Sequence, residues 1–289
     1  MSWNQFVFAF CVFFSLIINS ISESTSLNVS AKFTEGNGIG FRHGYSTVEL
    51  MGFSPRLYCG RIQPFLDIRG SLLNNGRGAA NVGIGGRYLD LCRNVVYGAN
   101  LYYDFRQGHN KGYNQIGFGL EMLSPKFDVR CNGYAVVGDN RNTLRTRLFL
   151  YPGDFFAFYK ERELAASGAD AEIGKWIKRK GLCELFGIYI AAGPYYFHTR
   201  SPHDAWGGKL RAIAQIGNLF SFELRTSYDR VFHGRVQGIF TFVYPFGFNK
   251  CCDTPTSFKE SFLQAIAKQP VVRNDLIVLD QSYRWRANF

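Results

Sequence analysis

Charged residues of both signs recur at alternate positions along the middle of the chain. Asp67 and Arg69 are separated by one residue, and so are Asp104 and Arg106. Because side chains two residues apart point to the same face of a β-strand, this spacing collects opposite charges on one face. So many charges cannot share a dry core, so the pattern predicts a wet or cross-linked interior. The predicted lining residues are Asp67, Arg69, Arg87, Asp104, Arg106, Glu121, Asp128, Arg130, Asp170, Glu172, Lys209, Arg211, Glu223, Arg225, Asp229 and Arg235.

Residue types that could carry catalysis or bind a metal form no recognisable site. No Ser/His/Asp constellation can be assembled around the five histidines, which fall in or near predicted loops at His43, His109, His198, His203 and His233. The seven cysteines form no CxxC motif, and the histidines lack metal-ligand spacing. The GIGG run at 83–86 precedes more strand rather than the helix of a phosphate loop. The sequence therefore predicts no enzyme, no cofactor and no metal.

Two stretches around one short turn, 81–90 and 95–107, indicate which elements position the charges. Ile84 in the first and Leu101 in the second belong to apolar sets that alternate with glycine or polar residues. That alternation is typical of half-buried strands. Their length exceeds the ~5–6 residues usual in soluble sheets and matches the ~9–11 residues of a tilted transmembrane strand. We therefore predict that the apolar face lies against lipid.

The same alternation occurs in eleven stretches, and transmembrane barrels of bacteria normally have an even number of strands. A twelfth strand is expected, because an open edge in lipid would leave backbone groups unpaired. The two candidates are residues 36–43 and Thr143–Tyr151. A soluble antiparallel sheet would explain the charges equally well, but not the strand lengths. The prediction is an all-β, twelve-stranded antiparallel transmembrane β-barrel with short periplasmic turns and longer outer loops.

The N-terminus predicts export. Phe6–Ile18 is an uncharged run too short to span a membrane as a helix, and small residues follow at Ser20 and Ser22. We predict a signal peptide over residues 1–22. The net charge of +11 is compatible with nucleic-acid binding, but an exported chain rarely meets nucleic acid. Anionic lipid headgroups near basic loops such as 178–180 are the milder explanation.

After residue 245 the alternation stops. Thr256–Lys268 carries apolar residues at helical spacing, with Thr254 and Thr256 as N-cap candidates and Pro270 behind it. A short extended segment over 270–280 follows the predicted helix.

This order of parts resembles the β-domain of the intimin/invasin family, the inverse autotransporters. The similarity is densest in AANVGIGGRYLDLCRNVVYGANLYYDF (79–105), YNQIGFGLEMLSPKFDVRCNGY (113–134) and VVRNDLIVLDQSYR (271–284). The resemblance implies a twelve-stranded barrel, a helix inside the pore, and a linker that returns through the lumen to the surface. Thr256–Lys268 matches the helix, and Val271–Asp280 matches the linker.

The resemblance also implies boundaries and partners. It favours residues 36–43 as the first strand, with the barrel over 36–247, the helix and linker over 248–289, and 138–163 as a long outer loop. The implied partners are outer-membrane lipid, the barrel-assembly machinery and periplasmic chaperones.

The sequence departs from the family pattern at both ends. We expect no periplasmic peptidoglycan-binding domain and no adhesin passenger, so the sequence identifies no ligand or host receptor. The sequence favours a translocator without a passenger. The alternative function is a plugged pore or a structural barrel.

The cysteines suggest a covalent link at the periplasmic rim. Cys59, Cys92, Cys183, Cys251 and Cys252 would all lie there in this topology, whereas Cys131 would face lipid. We predict at least one disulfide between Cys251 or Cys252 and a rim turn. Adjacent cysteines are poorly placed to bond each other, and the connectivity stays open.

Overall fold

The computed structural model describes residues 26–58, 60–151, 155–178, 186–199, 203–217, 219–247 and 258–288. Twelve strands close into an antiparallel barrel, which confirms the predicted all-β fold. The barrel strands are β1 Ser26–Gly36, β2 Tyr45–Phe53, β3 Ile62–Leu73, β4 Gly78–Asp90, β5 Val95–Gln107, β6 Gly112–Leu123, β7 Asp128–Val137, β10 Ser167–Lys178, β11 Phe186–His198, β12 Ala205–Ile216, β13 Phe220–Asp229 and β14 Arg235–Gly247. Neighbours follow chain order except that β7 pairs with β10, and β1 pairs with β14 to close the wall.

The first strand is not the predicted one. The prediction of a strand over residues 36–43 is wrong, because the wall begins with β1 and residues 37–44 connect β1 to β2. Gly36 and Gly40 have φ angles of 103° and 73°, a left-handed backbone that suits a turn rather than a strand. Within β1, Leu27 and Phe33 belong to an apolar set that alternates with buried polar residues such as Ser30. The barrel therefore starts ten residues before the predicted position.

The other candidate for the twelfth strand forms a strand outside the wall. β8 (Arg141–Tyr151) and β9 (Phe155–Ala165) make a hairpin within the connection between β7 and β10. The tail strand β15 (Leu279–Asn288) pairs antiparallel with β9, which gives a three-stranded sheet in the order β15-β9-β8. We call it the outer sheet.

The two faces of the wall differ sharply in chemistry. Ile84 and Leu101 lie opposite each other on β4 and β5 and are 60% and 52% exposed on the outside. Arg87 and Asp104 on the same two strands are buried inside the barrel. An exposed apolar belt of this extent indicates contact with a nonaqueous phase.

One helix lies in the described part of the tail. α1 spans Phe258–Ala267, which lies within the predicted Thr256–Lys268. No helix of the described segments is long and apolar enough to cross a membrane. The signal peptide (1–22) and the N-cap candidates Thr254 and Thr256 lie outside the described residues, so both stay predictions.

Candidate functional site

Ion pairs between described residues cross-link the lumen, and a first group of them lies on β1, β2 and β3. Arg69 is 1% exposed and places Nη2 2.7 Å from Asp67 Oδ2 and 3.1 Å from Glu49 Oε1. The Tyr102 hydroxyl donates a hydrogen bond of 2.6 Å to Asp67, and Lys32 lies 2.5 Å from Glu49. Buried charges with paired and hydrogen-bonded partners are what a low-dielectric interior requires.

The second group joins β4 to β6. Arg87 donates from Nε and Nη2 to the same carboxylate oxygen of Glu121, at 3.0 and 2.9 Å. The guanidinium carbon of Arg87 lies over the aromatic ring of Phe65, 5.0 Å from the ring centroid. This arrangement fixes the direction of the remaining nitrogen, Nη1.

The third group joins β7, β10, β11 and β12. Arg130 pairs with Asp128 at 3.2 Å and donates a 2.6 Å hydrogen bond to the Tyr189 hydroxyl. Glu172 forms an ion pair with Arg211 at 3.1 Å. Because Arg130 also lies 3.5 Å from Glu172, this group joins β7 to β12 across β10 and β11.

Twelve of the sixteen residues predicted to line the lumen are buried, and Lys209, Glu223, Arg225 and Arg235 are partly exposed. Lys209 pairs with Asp170 at 2.5 Å, and Arg225 pairs with Glu223 at 2.7 Å. Among the ion pairs between described residues, none includes Arg235. The set is therefore mostly a network of ion pairs.

Sequence reasoning missed several members of this network. Glu49 was overlooked beside the misplaced first strand, and Tyr102, Tyr134 and Tyr195 were not assigned although each hydroxyl hydrogen-bonds a lumenal aspartate. Their inward parity between apolar neighbours was the available signal. Arg273 was missed because the tail shows no regular period.

In the described part of the tail, α1 lies at the end of the barrel where the short turn 91–94 joins β4 to β5, which we call the short-turn end. Leu263, Ile266 and Ala267 of α1 pack against Leu89, Val96 and Leu123. Arg87 then donates from Nη1 to the carbonyls of Ala267 at 3.0 Å and Gln269 at 2.5 Å. Helix C-termini leave carbonyl groups without intrahelical partners and carry partial negative charge, so a cation there stabilises the helix end.

The middle of the tail is held by two charges of its own. Arg273 lies 2.5 Å from Asp104 and stacks over the Tyr102 ring at 4.2 Å from its centroid. Asp275 pairs with Arg69, and Arg69 also donates a 2.9 Å hydrogen bond to the Val271 carbonyl. The tail therefore completes the ion-pair network of β3 and β5.

Residues 277–279 of the tail pack at the end of the barrel opposite α1. Arg106 donates to the carbonyls of Gly40 and Ile277. Ile277 and Leu279 join a buried cluster with Tyr113 and Ala165. Ala165, the last residue of β9, is buried in this cluster.

A cavity of about 210 Å³ remains beside residues 269–275, on the side of β12, β13 and β14. Ile213, Thr241 and Val243 contribute to its wall, together with Arg211 and Arg225. Its volume and polar groups suit several ordered waters. The tail thus occupies one side of the lumen without filling it.

We expect Leu263→Ala to loosen α1. Leu263 is fully buried, and removing such a side chain costs about 2–5 kcal/mol. Ion conductance through the purified protein in a planar bilayer should rise, whereas Ala265→Ser on the exposed side of α1 should leave it unchanged. Equal conductance for the two variants would show that α1 does not restrict the pore.

The base of β9 is anchored by Glu163, which is buried. Its carboxylate accepts hydrogen bonds from the backbone N–H of His109 at 3.2 Å and pairs with His109 Nδ1 at 3.1 Å. Burial by itself would raise the pKa of Glu163, but the hydrogen bonds and charge of His109 outweigh burial and lower the pKa below 4.5.

This lowered pKa predicts an acid-sensitive outer sheet. The Glu163 carboxylate stabilises the fold fully above pH 4.5, its ordinary pKa, and this contribution is lost as pH falls through the lowered pKa. Proteolysis of the β8–β9 hairpin should therefore increase between neutral pH and about pH 3. Glu163→Gln should be cleaved readily throughout, without that acid transition. A transition of unchanged size in the variant would assign it to another group.

Two of the cysteines considered for the rim and the lipid face lie in the described part of the chain. Cys92 and Cys131 are free thiols, and both are exposed. Cys59, Cys183, Cys251 and Cys252 lie outside the described residues, so a disulfide from the tail stays a prediction. Within the described ranges, no cluster of histidine, cysteine, aspartate and glutamate is placed to hold a metal ion.

A closed barrel with an apolar belt outside and paired charges inside defines a β-barrel of the outer-membrane class. A family model, inverse autotransporter β-domain, matches residues 26–177, more than half of the chain. The chain belongs to this family, which confirms the resemblance and the outer-membrane location. The protein is thus an autotransporter-type translocator domain.

Several solved structures are similar to this chain at low identity. A membrane protein from a study of in-meso crystallization is 15% identical, with a TM-score of 0.56 over 89% of this chain and 100% of that one. An outer membrane channel from Pseudomonas putida F1 is 10% identical, with a TM-score of 0.47 over 78% and 97%. The translocator domain of the autotransporter NalP from Neisseria meningitidis is 12% identical, with a TM-score of 0.33 over 83% and 95%. Comparison with curated proteins gives no match.

Proposed function

We propose that this barrel threads its C-terminal linker through the pore to the cell surface. The observation that carries the proposal is the unbroken series of contacts along the described tail. Leu263 packs near the short-turn end, Arg273 and Asp275 pair with the wall at mid-height, and β15 joins the outer sheet.

The lengths of the connections support the direction of exit. The turns at 91–94 and 124–127 are short, whereas the connection 138–166 holds a whole hairpin. Outer-membrane barrels have short periplasmic turns and longer extracellular loops. The outer sheet is then extracellular, and α1 is at the periplasmic end.

The energy for this passage comes from folding in this proposal. Arg273 and Asp275 exchange water for buried partners on β5 and β3, and β15 gains a hydrogen-bonded neighbour. The exposed apolar belt faces outer-membrane lipid. Insertion would use the barrel-assembly machinery and periplasmic chaperones that serve this family.

Surface labelling on intact cells tests the proposal. One epitope is added after residue 289, and a second is placed in the connection 152–154 of the outer hairpin as a control. We expect antibodies to reach both. An accessible hairpin with an inaccessible C-terminus would contradict threading and support a plugged pore or structural barrel.

The cavity beside residues 269–275 favours that second candidate function. If the protein is a solute pore, the purified protein should conduct ions substantially through this space, and a blocker in the lumen should abolish the current. A translocator whose lumen is closed by α1 and the linker should conduct little.

A further inference from the structure

We propose that the hairpin β8–β9 is a capture template, whose function is to pair with the exported chain as it leaves the pore. The proposal rests on the proposed function above, since it assumes that the linker emerges at the outer sheet. The partner is the emerging segment of this same chain.

The hairpin can form before the linker arrives. β8 and β9 are joined by a short connection and pair with each other from Arg141↔Leu164 to Tyr151↔Phe155. Contacts between strands so close in sequence form early, because the loop to be closed is short. Only the contact between β9 and β15 waits for the tail.

The barrel fixes the hairpin at the mouth of the pore. The Ala165 N–H donates to the Asn140 carbonyl at 2.9 Å, which closes the base of the hairpin. Glu163 is tied to His109 in the loop between β5 and β6. Because two loops hold this base, β9 has a fixed position relative to the lumen.

Pairing with the tail starts where the linker leaves the lumen. The Ala166 N–H donates to the Val278 carbonyl at 2.9 Å, and the register then runs from Leu279↔Ala165 outward to Asn288↔Phe156. The first residue of β15 is therefore a direct continuation of the buried path. Each further residue that emerges meets the next position on β9.

The pairing of β15 with β9 is a continuous backbone ladder. It covers ten positions, from Leu279↔Ala165 to Asn288↔Phe156. Strand addition through main-chain hydrogen bonds is tolerant of sequence and suits a template for an exported chain.

Pairing of β15 with β9 would also oppose the return of the tail into the lumen. A two-stranded hairpin in water is marginally stable and presents unpaired edge groups, and a third strand relieves both problems. Once β15 has paired, return through the lumen requires the ladder on β9 to break. The hairpin therefore makes exit directional without a nucleotide or another protein.

A proline scan along β15 tests the template. Because β15 is the edge of the outer sheet, successive backbone N–H groups point alternately toward β9 and away from it. Proline is tolerated where the N–H faces outward, and it removes a ladder bond where the N–H faces β9. Single Tyr283→Pro, Arg284→Pro, Trp285→Pro and Arg286→Pro variants, with an alanine at each position as control, are followed by pulse-chase exposure of the epitope after residue 289.

We expect sensitivity with a period of two: alternate proline variants expose the epitope about fivefold more slowly, as for loss of one net hydrogen bond, and the alanine controls resemble wild type. Uniform proline effects, or none, would overturn the template. In a second variant, a short turn replaces residues 141–163, and folding is checked by heat-modifiable mobility. An unchanged rate in that folded variant would overturn the proposal, although the exposed C-terminus would still support threading. An epitope that is never exposed in wild type would instead refute the proposed function.

Discussion

Arg69→Ala is expected to lower the free energy of unfolding by about 3–5 kcal/mol, the usual cost of removing one partner from a buried ion pair. Arg69 faces three carboxylates, those of Asp67, Glu49 and Asp275, and it also holds the Val271 carbonyl. Its removal leaves three carboxylates close together without the cation that they share. Urea unfolding in lipid vesicles, followed by heat-modifiable mobility, measures the change.

The same substitution should release the middle of the linker. Asp275 would lose its partner on β3, so protease added to the purified protein should cleave the tail faster. Arg69→Lys keeps the charge but not the paired donors, and we expect an intermediate loss. Arg235→Ala removes a lumenal guanidinium that has no ion pair among the described residues, and it should cost under about 1 kcal/mol. A similar small loss for Arg69→Ala would contradict the role given to the network.

Ile84→Arg and Leu101→Arg are each expected to cost about 2–4 kcal/mol, the penalty for arginine on a lipid face near the bilayer midplane. Both residues are mid-strand, outward and opposite each other. The measurement is the free energy of unfolding from vesicles for each single variant.

Val243→Arg is the matched control for these two variants. Val243 also lies within a barrel strand, β14, but it lines the lumenal cavity beside the linker and lies opposite Ser30, so a long cation has room and a polar neighbour there. Its cost should be well below that of the lipid-face variants. Gly83→Arg is not a suitable control, because the Tyr102 ring already occupies the space of a side chain there. Equal costs at both faces would contradict the assignment of inside and outside.

Regular alternation along the strands accounts for how much of the wall could be predicted. Each strand needs one apolar and one polar face, so a period of two assigned the inward direction of Arg87, Asp104 and Glu172 without any contact being known. β1 was missed although it alternates too, because its inward face carries a single charge, Lys32, between the small and uncharged Ser30 and Thr34.

The tail could be predicted only in part. The spacing in Thr256–Lys268 predicted α1, because a helix has its own period. The segment 271–278 has no regular secondary structure, and its position depends on partners such as Asp104 and Arg69 that lie far away in sequence. β15 also escaped prediction, since it is held by the edge of β9, a partner far away in sequence.

A disulfide between β9 and β15 on living cells tests most directly the claim that the linker reaches the surface. Ala157 and Ala287 lie opposite each other in the register, so Ala157→Cys with Ala287→Cys, in a chain whose native cysteines are serine, should cross-link on mild oxidation. Ala165→Cys with Ala287→Cys is the off-register control. We predict a cross-link in the first pair alone, reversed by a reductant that cannot cross the membrane. No cross-link, or one that the reductant cannot reach, would contradict passage of the tail to the surface.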